Sequence, residues 1–358
     1  MEFHPEVLVW GGGSGGIAAA LQAARSGADT LLLTPGSWLG GMVSAAGVCA
    51  PDGNELSPWQ TGLWGALLRA LAREEPEGLD QNWVSCFGYR PASAERILRR
   101  WLAAEANLRW WPRSRLLALL RDGSRIAAVE VEHAGERQRL RPQLVIDGSD
   151  RGDLLPLAEA AFDLGWEARE QTGEPSAPTA EAMAEQAFFQ QQPVQSPTWV
   201  VMGQLDPTVT PPQPDKPLPP PFTLATQRFG LARTLSYGRL PGGLVMLNWP
   251  LHGNDWHGGL ERAFDADAEA EQALNQAMRD HSLAFAAALR DASDGLLRAG
   301  AVFPSDAEAA AGALEGREAL ALMPYWREGR RLVGIDRVVE QDRSEEHTSE
   351  LQSQFRIS

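Results

Sequence analysis

The stretch Asn248-Trp249-Pro250-Leu251-His252-Gly253-Asn254-Asp255 gathers two amides, an imidazole and a carboxylate just after Gly243 to Asn248, which reads as a strand. Loops carried by rigid elements are where functional groups are usually presented. An imidazole titrates near neutrality, so His252 is the candidate acceptor or donor of a proton. The plainer reading is a turn capped by Asn254 and Asp255, with His252 at the surface. A second group is Pro324-Tyr325-Trp326-Arg327-Glu328-Gly329-Arg330-Arg331. Guanidinium forks bind carboxylates and phosphates through paired hydrogen bonds, so Arg327 could orient an acidic substrate or a pyrophosphate. Its alternative is an ordinary ion pair, with Glu328 at hand. Tyr325 could donate to a substrate. Cys49 lies in an apolar run without a C-x-x-C partner, which suits a buried filler better than a redox thiol. Asp52, Asn54 and Glu55 after it suit a turn, or reach a substrate.

The element that must position these groups is the N-terminal one. Val7 to Trp10 is an apolar run, Gly11, Gly13 and Gly16 fill a G-x-G-x-x-G frame, and an alanine-rich helical pattern follows. In that frame the first glycine makes the turn, the second admits a pyrophosphate close to the backbone, and the third lets helix and strand touch. The helix N-terminus then faces the phosphates. A second strand, Thr30 to Leu33, completes a β-α-β unit, and Gly40-Gly41-Met42 follows it. Helices are expected after Pro58, after Pro91 and from Phe264 to about Leu297. From Leu108 the pattern changes, and an antiparallel meander follows: Leu116 to Leu120 and Ile126 to Val131 flank Asp122-Gly123, a hairpin signal, and Arg137 to Leu140 comes next. The strand Leu144 to Ile146 ends in Asp147-Gly148-Ser149-Asp150-Arg151-Gly152-Asp153.

These residues resemble the family of FAD-dependent oxidoreductases with a single N-terminal flavin-binding fold. The closest likeness is to the subgroup marked by Gly-Gly-Met after the second strand and Pro-Tyr-x-Arg-Glu-x-Arg-Arg late in the chain. The resemblance implies an α/β, FAD/NAD(P)-binding Rossmann-like fold, a parallel sheet with a β-meander, plus an inserted α+β substrate or cap domain. It implies FAD as cofactor, held by Gly11, Gly13, Ser14, Gly15 and Gly16. Gly40, Gly41 and Met42 would lie along the flavin, and Gly148 and Ser149, in the segment ending at Asp153, would approach its ADP half. The implied reaction is hydride transfer between a small organic substrate and flavin N5. One position departs from the pattern: Thr34 stands where an acidic residue usually binds the ribose hydroxyls. Its hydroxyl can make one neutral bond in place of a charge-assisted one. No arginine follows to welcome a 2′-phosphate. An NAD-dependent dehydrogenase is the alternative enzyme, disfavoured by the meander, and a non-catalytic FAD- or nucleotide-binding module is the alternative outside catalysis.

Composition is consistent with this reading. The chain has 358 residues, 44% hydrophobic and 22% charged, which is that of a soluble globular protein. A net charge of −15 disfavours nucleic acid and anionic membrane as partners. Two cysteines fit a reducing, cytoplasmic location rather than a disulfide scaffold. No signal peptide or membrane span is expected, since no run reaches about 18 apolar residues. No metal site is expected, and oligomeric state is not legible. The expected organisation is an FAD-binding domain at 1–165, a substrate or cap domain at 166–320 with a proline-rich surface loop or lid at 204–222, and a return segment at 321–342. Residues 343–358 resemble the in-frame translation of a sequencing adapter, so they are set aside as an artefactual tail of a truncated frame.

Overall fold

Val7–Trp10 (β1) is apolar at every position because both of its faces are covered. In the computed structural model, which describes residues 3–52, 58, 60–75, 77–79, 82, 83, 85–265 and 267–342, β1 lies inside a four-stranded parallel sheet. Its order is β3-β2-β1-β7, with β2 at Thr30–Leu33, β3 at Leu108–Trp111 and β7 at Leu144–Asp147. The register pairs Val7 with Thr30 and Leu144 on either side. The sequence reading notes only a change of pattern from Leu108 and assigns no strand there. Leu108 to Trp111 pairs in parallel with β2 as the sheet's edge.

Side-chain alternation sends Leu8, Trp10, Leu31 and Leu33 to one face and Val7, Val9 and Leu32 to the other. The first set meets Val129, Val131 and Leu140 of the antiparallel meander β4 (Arg115–Asp122), β5 (Arg125–His133) and β6 (Glu136–Leu140). The second set meets the helices α1 (Ser14–Arg25) and α3 (Pro91–Ala103), while α2 (Gly62–Glu74) packs on α3. Pro91 begins α3 where its fixed φ and missing N–H do no harm.

A short strand, β8 (Phe162–Asp163), pairs with β12 (Arg331–Leu332) and ties the late segment to the first sheet's neighbourhood. Between them, β9 (Val201–Leu205), β10 (Leu244–Leu247) and β11 (Leu297–Ala299) form an antiparallel sheet in the order β10-β9-β11. The helix Ala268–Ala292 is capped by Asp267, whose carboxylate accepts from the N–H groups of Glu269 and Ala270. It stops short of the predicted end near Leu297, because Leu297 belongs to β11. The proline-rich segment is irregular, its first two residues, Gln204 and Leu205, finish β9, and Leu218 and Phe222 are buried. The core does not break at residue 165. Val9, Ile17 and Leu39 share one apolar cluster with Trp199, Val200, Met246 and Phe303. Among the described residues no helix is long and apolar enough to cross a membrane.

One buried ion pair aims the glycine segment after β2. The Glu95 side chain is 0% exposed, accepting the Leu39 N–H at 2.5 Å and Arg99 Nε at 2.6 Å. Arg99 also donates to the Ser37 carbonyl at 2.8 Å, so α3 grips both ends of Ser37–Leu39. Burial pushes the Glu95 carboxyl up to about 7 against the opposing pull of Arg99. The folded chain therefore holds this proton more tightly than an unfolded glutamate, whose value is about 4.3. Its contribution to stability is complete below that value and is lost as pH rises through about 7. Glu95→Ala leaves the Leu39 amide unpartnered and the Arg99 guanidinium with only the Ser37 carbonyl, and is expected to cost about 1–3 kcal/mol in urea unfolding. It should also flatten the parent's decline in stability between about pH 5 and 7. A variant as stable as the parent would show that the pair holds nothing.

Candidate functional site

The glycine frame is a place where three backbones meet. A Cβ on Gly16 would stand 2.1 Å from the Gly11 carbonyl oxygen, and one on Gly148 2.4 Å from the Gly16 Cα. Gly11 has φ +104, and a Cβ there would lie 2.5 Å from Gly148. These contacts let α1 close onto β1 and the turn after β7 close onto both. The next layer is Gly40-Gly41: the Gly40 N–H donates to the Gly12 carbonyl at 2.7 Å, and a Cβ on Gly41 would sit 2.9 Å from the Gly13 Cα.

Between these segments α1 begins at Ser14 with no side-chain cap and no acid in its first turn. Ser14 and Gly15 are exposed, and nothing lies within 4 Å of a Cβ on Gly15. Unsatisfied N–H groups at the positive end of a helix fit a phosphate. Met42 is half-buried beside this junction, packed against the main core. Gly11, Gly13, Ser14, Gly15, Gly16, Gly40, Gly41, Met42 and Gly148 are thus brought together.

Three other expected cofactor contacts have side chains with different partners. The Thr34 hydroxyl is 1% exposed, donates to the Gly36 carbonyl at 2.8 Å and accepts from Trp110 Nε1 at 3.0 Å. A buried hydroxyl so engaged has no proton left for a ribose. Ser149 donates through N and Oγ to Asp147 Oδ1, and its Oγ accepts the Asp153 N–H at 2.8 Å. Asp153 accepts Trp10 Nε1 at 3.1 Å. Both brace the turn after β7.

The second group of candidates resolves into clamp and cluster. His252 is exposed, in the left-handed backbone region at φ +59, and its ring makes no hydrogen bond to the described residues. Asn254 points inward instead, accepting the Trp249 N–H at 2.9 Å and donating to Leu247 O at 2.8 Å. The plainer reading of this loop is the one the contacts describe. Arg327 donates to the Ser196 carbonyl, to Asn248 Oδ1 at 2.8 Å and to Asp255 Oδ1 at 3.2 Å. Arg327 and Asp255 are 14% and 10% exposed, so the pair is a buried clamp and the fork is occupied. Its ion-pair partner is Asp255, not Glu328, which pairs with Arg331 at 2.6 Å. Arg330 donates to the carbonyls of Arg151 and Phe264.

The Arg327 guanidinium lies 4.6 Å from the centre of the Tyr325 ring. Tyr325 is held by reciprocal backbone bonds with Thr198, at 2.8 and 3.1 Å. Beside it is Tyr237, which the sequence reading did not single out and which stacks edge-on against Trp249 at 4.9 Å. Burial raises both phenols; Arg327 opposes the rise, and Asp52 and Asp255 add to it. Asp150, beside the glycine frame, also acts on Tyr325, which links the two groups. Asp52 has its own carboxyl raised by partial burial. Asn54 and Glu55 lie outside the described residues, as does 343–358. Nothing in spacing or periodicity marks Tyr237; the one available signal is scarcity, since the chain has only three tyrosines.

Cys49 is buried, with Sγ 3.9 Å from the Val43 carbonyl and a thiol pushed up by burial and by Glu75. Such a thiol is inert packing. Cavities of 280 and 610 Å3 lie elsewhere, the first against β9 and the long helix, the second between Trp166 and Arg331. Among the described residues no cluster of three or more His, Cys, Asp or Glu could hold a metal ion.

A parallel sheet with its meander, glycine turn and bare helix N-terminus defines a dinucleotide-binding protein of the Rossmann-like class. The chain belongs to the FAD dependent oxidoreductase family, whose model matches residues 6–353, and FAD is its cofactor. No curated protein matches it. Among solved structures it is similar to a p-nitrophenol 4-monooxygenase from Pseudomonas putida, at 11% identity and TM-score 0.46, covering 94% of this chain and 70% of that one. It is also similar to a myxobacterial chondrochloren halogenase, at 14% identity and TM-score 0.39, covering 83% and 61%. A geranylgeranyl bacteriochlorophyll reductase-like protein from Thermoplasma acidophilum matches at 20% identity and TM-score 0.30, covering 42% of this chain and 40% of that one. The chain thus spans under half the length of this last relative.

Three expectations follow. Gly16→Ala forces the backbone of Gly11 to move and is expected to lower stability by about 1–3 kcal/mol, while Gly15→Ala, in open space, raises it by about 0.4–1 kcal/mol. Thermal unfolding of the two variants checks this, and equal effects would contradict the interlock. Arg327→Lys keeps the charge but loses the fork, and is expected to cost about 1–3 kcal/mol. His252→Asn, suited to the left-handed backbone, should leave stability and the rate of flavin reduction unchanged. A large loss of that rate in His252→Asn would restore it as a catalytic group.

Proposed function

We propose that this chain uses FAD to exchange a hydride with a small organic substrate bound beside Tyr325 and Tyr237. The observation that carries the reading is the pair of half-buried phenols, neither making a hydrogen bond to a described residue, set over the Arg327–Asp255 clamp. When bound, FAD supplies the two-electron acceptor or donor for the hydride.

The protein's share is orientation and proton handling. Both phenols are raised, so they stay protonated at neutral pH and donate hydrogen bonds to an oxygen or nitrogen of the substrate. Arg327, tied to Asn248, Asp255 and Ser196, holds the Tyr325 ring from one face. Asp255 is occupied, whereas Asp52 accepts no hydrogen bond among the described residues. It is therefore the carboxylate proposed to take the proton released when a hydroxyl or amine carbon gives up its hydride. Trp249 and Trp83 close the outer side of Tyr237 and keep water from that edge.

The test is anaerobic mixing of the FAD-loaded full chain, in oxidised form with hydroxy acids, amines and sugars and in reduced form with unsaturated acids, followed by flavin absorbance. Bleaching of the oxidised flavin, or return of colour to the reduced one, by one class identifies the substrate class. Tyr325→Phe and Tyr237→Phe are each expected to slow that reaction about 10- to 100-fold while leaving FAD bound, as loss of a positioned donor does. Retained flavin that no substrate or reductant can cycle would favour the non-catalytic binding module. Unchanged rates in both variants would move the substrate elsewhere.

A further inference from the structure

The strongest unexplained group is the carboxylate of Asp150, in the turn that follows β7. Its Oδ1 lies 3.0 Å from the position of a Cβ on Gly13 and 3.8 Å from that of one on Gly41. It therefore sits across the junction of the two glycine segments, at the bare start of α1. No hydrogen bond from a described residue reaches it. Its acidic neighbours are spent: Asp147 holds Ser149 and the Leu154 N–H, and Asp153 holds Trp10. Arg151, the cation in the same turn, points away to Glu271 at 2.7 Å and to the Ala263 carbonyl at 2.8 Å.

An unpaired carboxylate there suits the helix by itself, because it complements the positive N-terminus. It does not suit the cofactor. The FAD pyrophosphate is anionic and would use the same N–H groups. We propose that Asp150 sets how tightly this chain holds FAD, its carboxylate competing with the cofactor's pyrophosphate for the start of α1, so that tight binding takes up a proton at Asp150. This rests on FAD being the cofactor.

The surroundings fix the sign. From Ser37 to Ser44 and from the first turn of α1 no titratable side chain faces Asp150. Its own turn contributes Asp147, Asp153 and Arg151, and the late segment contributes Tyr325 and Arg330, the latter bonded to backbone carbonyls. Although solvent reaches part of it, the carboxyl is raised to about 6, by loss of hydration and by Asp153, with Arg151 opposing. A bound pyrophosphate raises it further, so the FAD complex holds this proton more tightly than the free protein does. Affinity is then greatest below about pH 6 and falls as pH climbs to the higher value of the complex.

The experiment is fluorescence titration of the FAD-stripped full chain with FAD between about pH 5 and 8.5, for the parent, Asp150→Asn, Asp150→Ser and Asp153→Asn. The parent's affinity is expected to fall about tenfold across the range, tenfold being the equivalent of one pKa unit of coupling. Asp150→Asn and Asp150→Ser should bind nearly independently of pH and about tenfold tighter than the parent at the alkaline end. Asp153→Asn should keep the slope. The proposal is overturned if the Asp150 variants retain the parent's slope, or if they bind FAD more weakly at every pH, which would make the carboxylate a cofactor ligand. If neither parent nor variants bind FAD at any pH, the cofactor assignment itself fails, an outcome distinct from the other two.

Discussion

The structure depends on backbone touching backbone at Gly11, Gly16 and Gly148. The Gly11 carbonyl lies where any side chain on Gly16 would begin, and Gly148 rests against the Gly16 Cα. Packing of this kind lacks the tolerance that side chains bring, since a peptide unit has no rotamer to change. It sets the distance between α1 and β1 and the position of the turn after β7. Through the Gly40 N–H on the Gly12 carbonyl it also sets the segment that leads into the rest of the site. Glu95 and Arg99 then fix that segment from behind, so the cradle is held by close approach on one side and by a buried charge pair on the other.

Much of this was legible because it rests on local rules. The apolar run Val7 to Trp10, the glycine frame, the Asp122-Gly123 hairpin and Pro91 at a helix start each announce their element through backbone chemistry that needs no distant partner. The elements that were missed or overrun depend on distant partners. Leu108 to Trp111 is an edge strand only because β2 offers it a free side, and Leu297 to Ala299 leaves the helical pattern because β9 takes it up. Tertiary pairing overrode local preference in both.

The same division runs through the site. The glycines are readable because their role is steric. The polar residues are not, because a side chain's type says what it can do and not whether it is already engaged. Thr34 has a hydroxyl suited to a ribose, yet Trp110 and Gly36 use it. Arg327 has a fork suited to a carboxylate, yet Asp255, Asn248 and Ser196 fill it. Tyr237 shows the converse: an unremarkable position at the end of a short helix becomes notable once Trp83, Trp249 and Tyr325 gather around it.

The route of the chain through the site sets an order of assembly during synthesis. Ala45 accepts the Leu322 N–H at 2.9 Å, and Trp199 donates its indole proton to Ala321 at 2.7 Å. A ribosome that has released the sheet, meander and glycine turn has made a nascent chain whose cofactor cradle already possesses its own partners. The wall bearing Tyr325 can dock only after the following hundred and seventy or so residues, from Asp153 to Tyr325, have emerged (roughly nine to thirty-five seconds at bacterial or eukaryotic elongation rates). During that interval Ala45 and Val48 have no cover from Leu322, and Val200 emerges only partway through it. The wall bearing Tyr325 is thus the last part of the site to be synthesised, because Leu322 lies far along the chain from its partner Ala45.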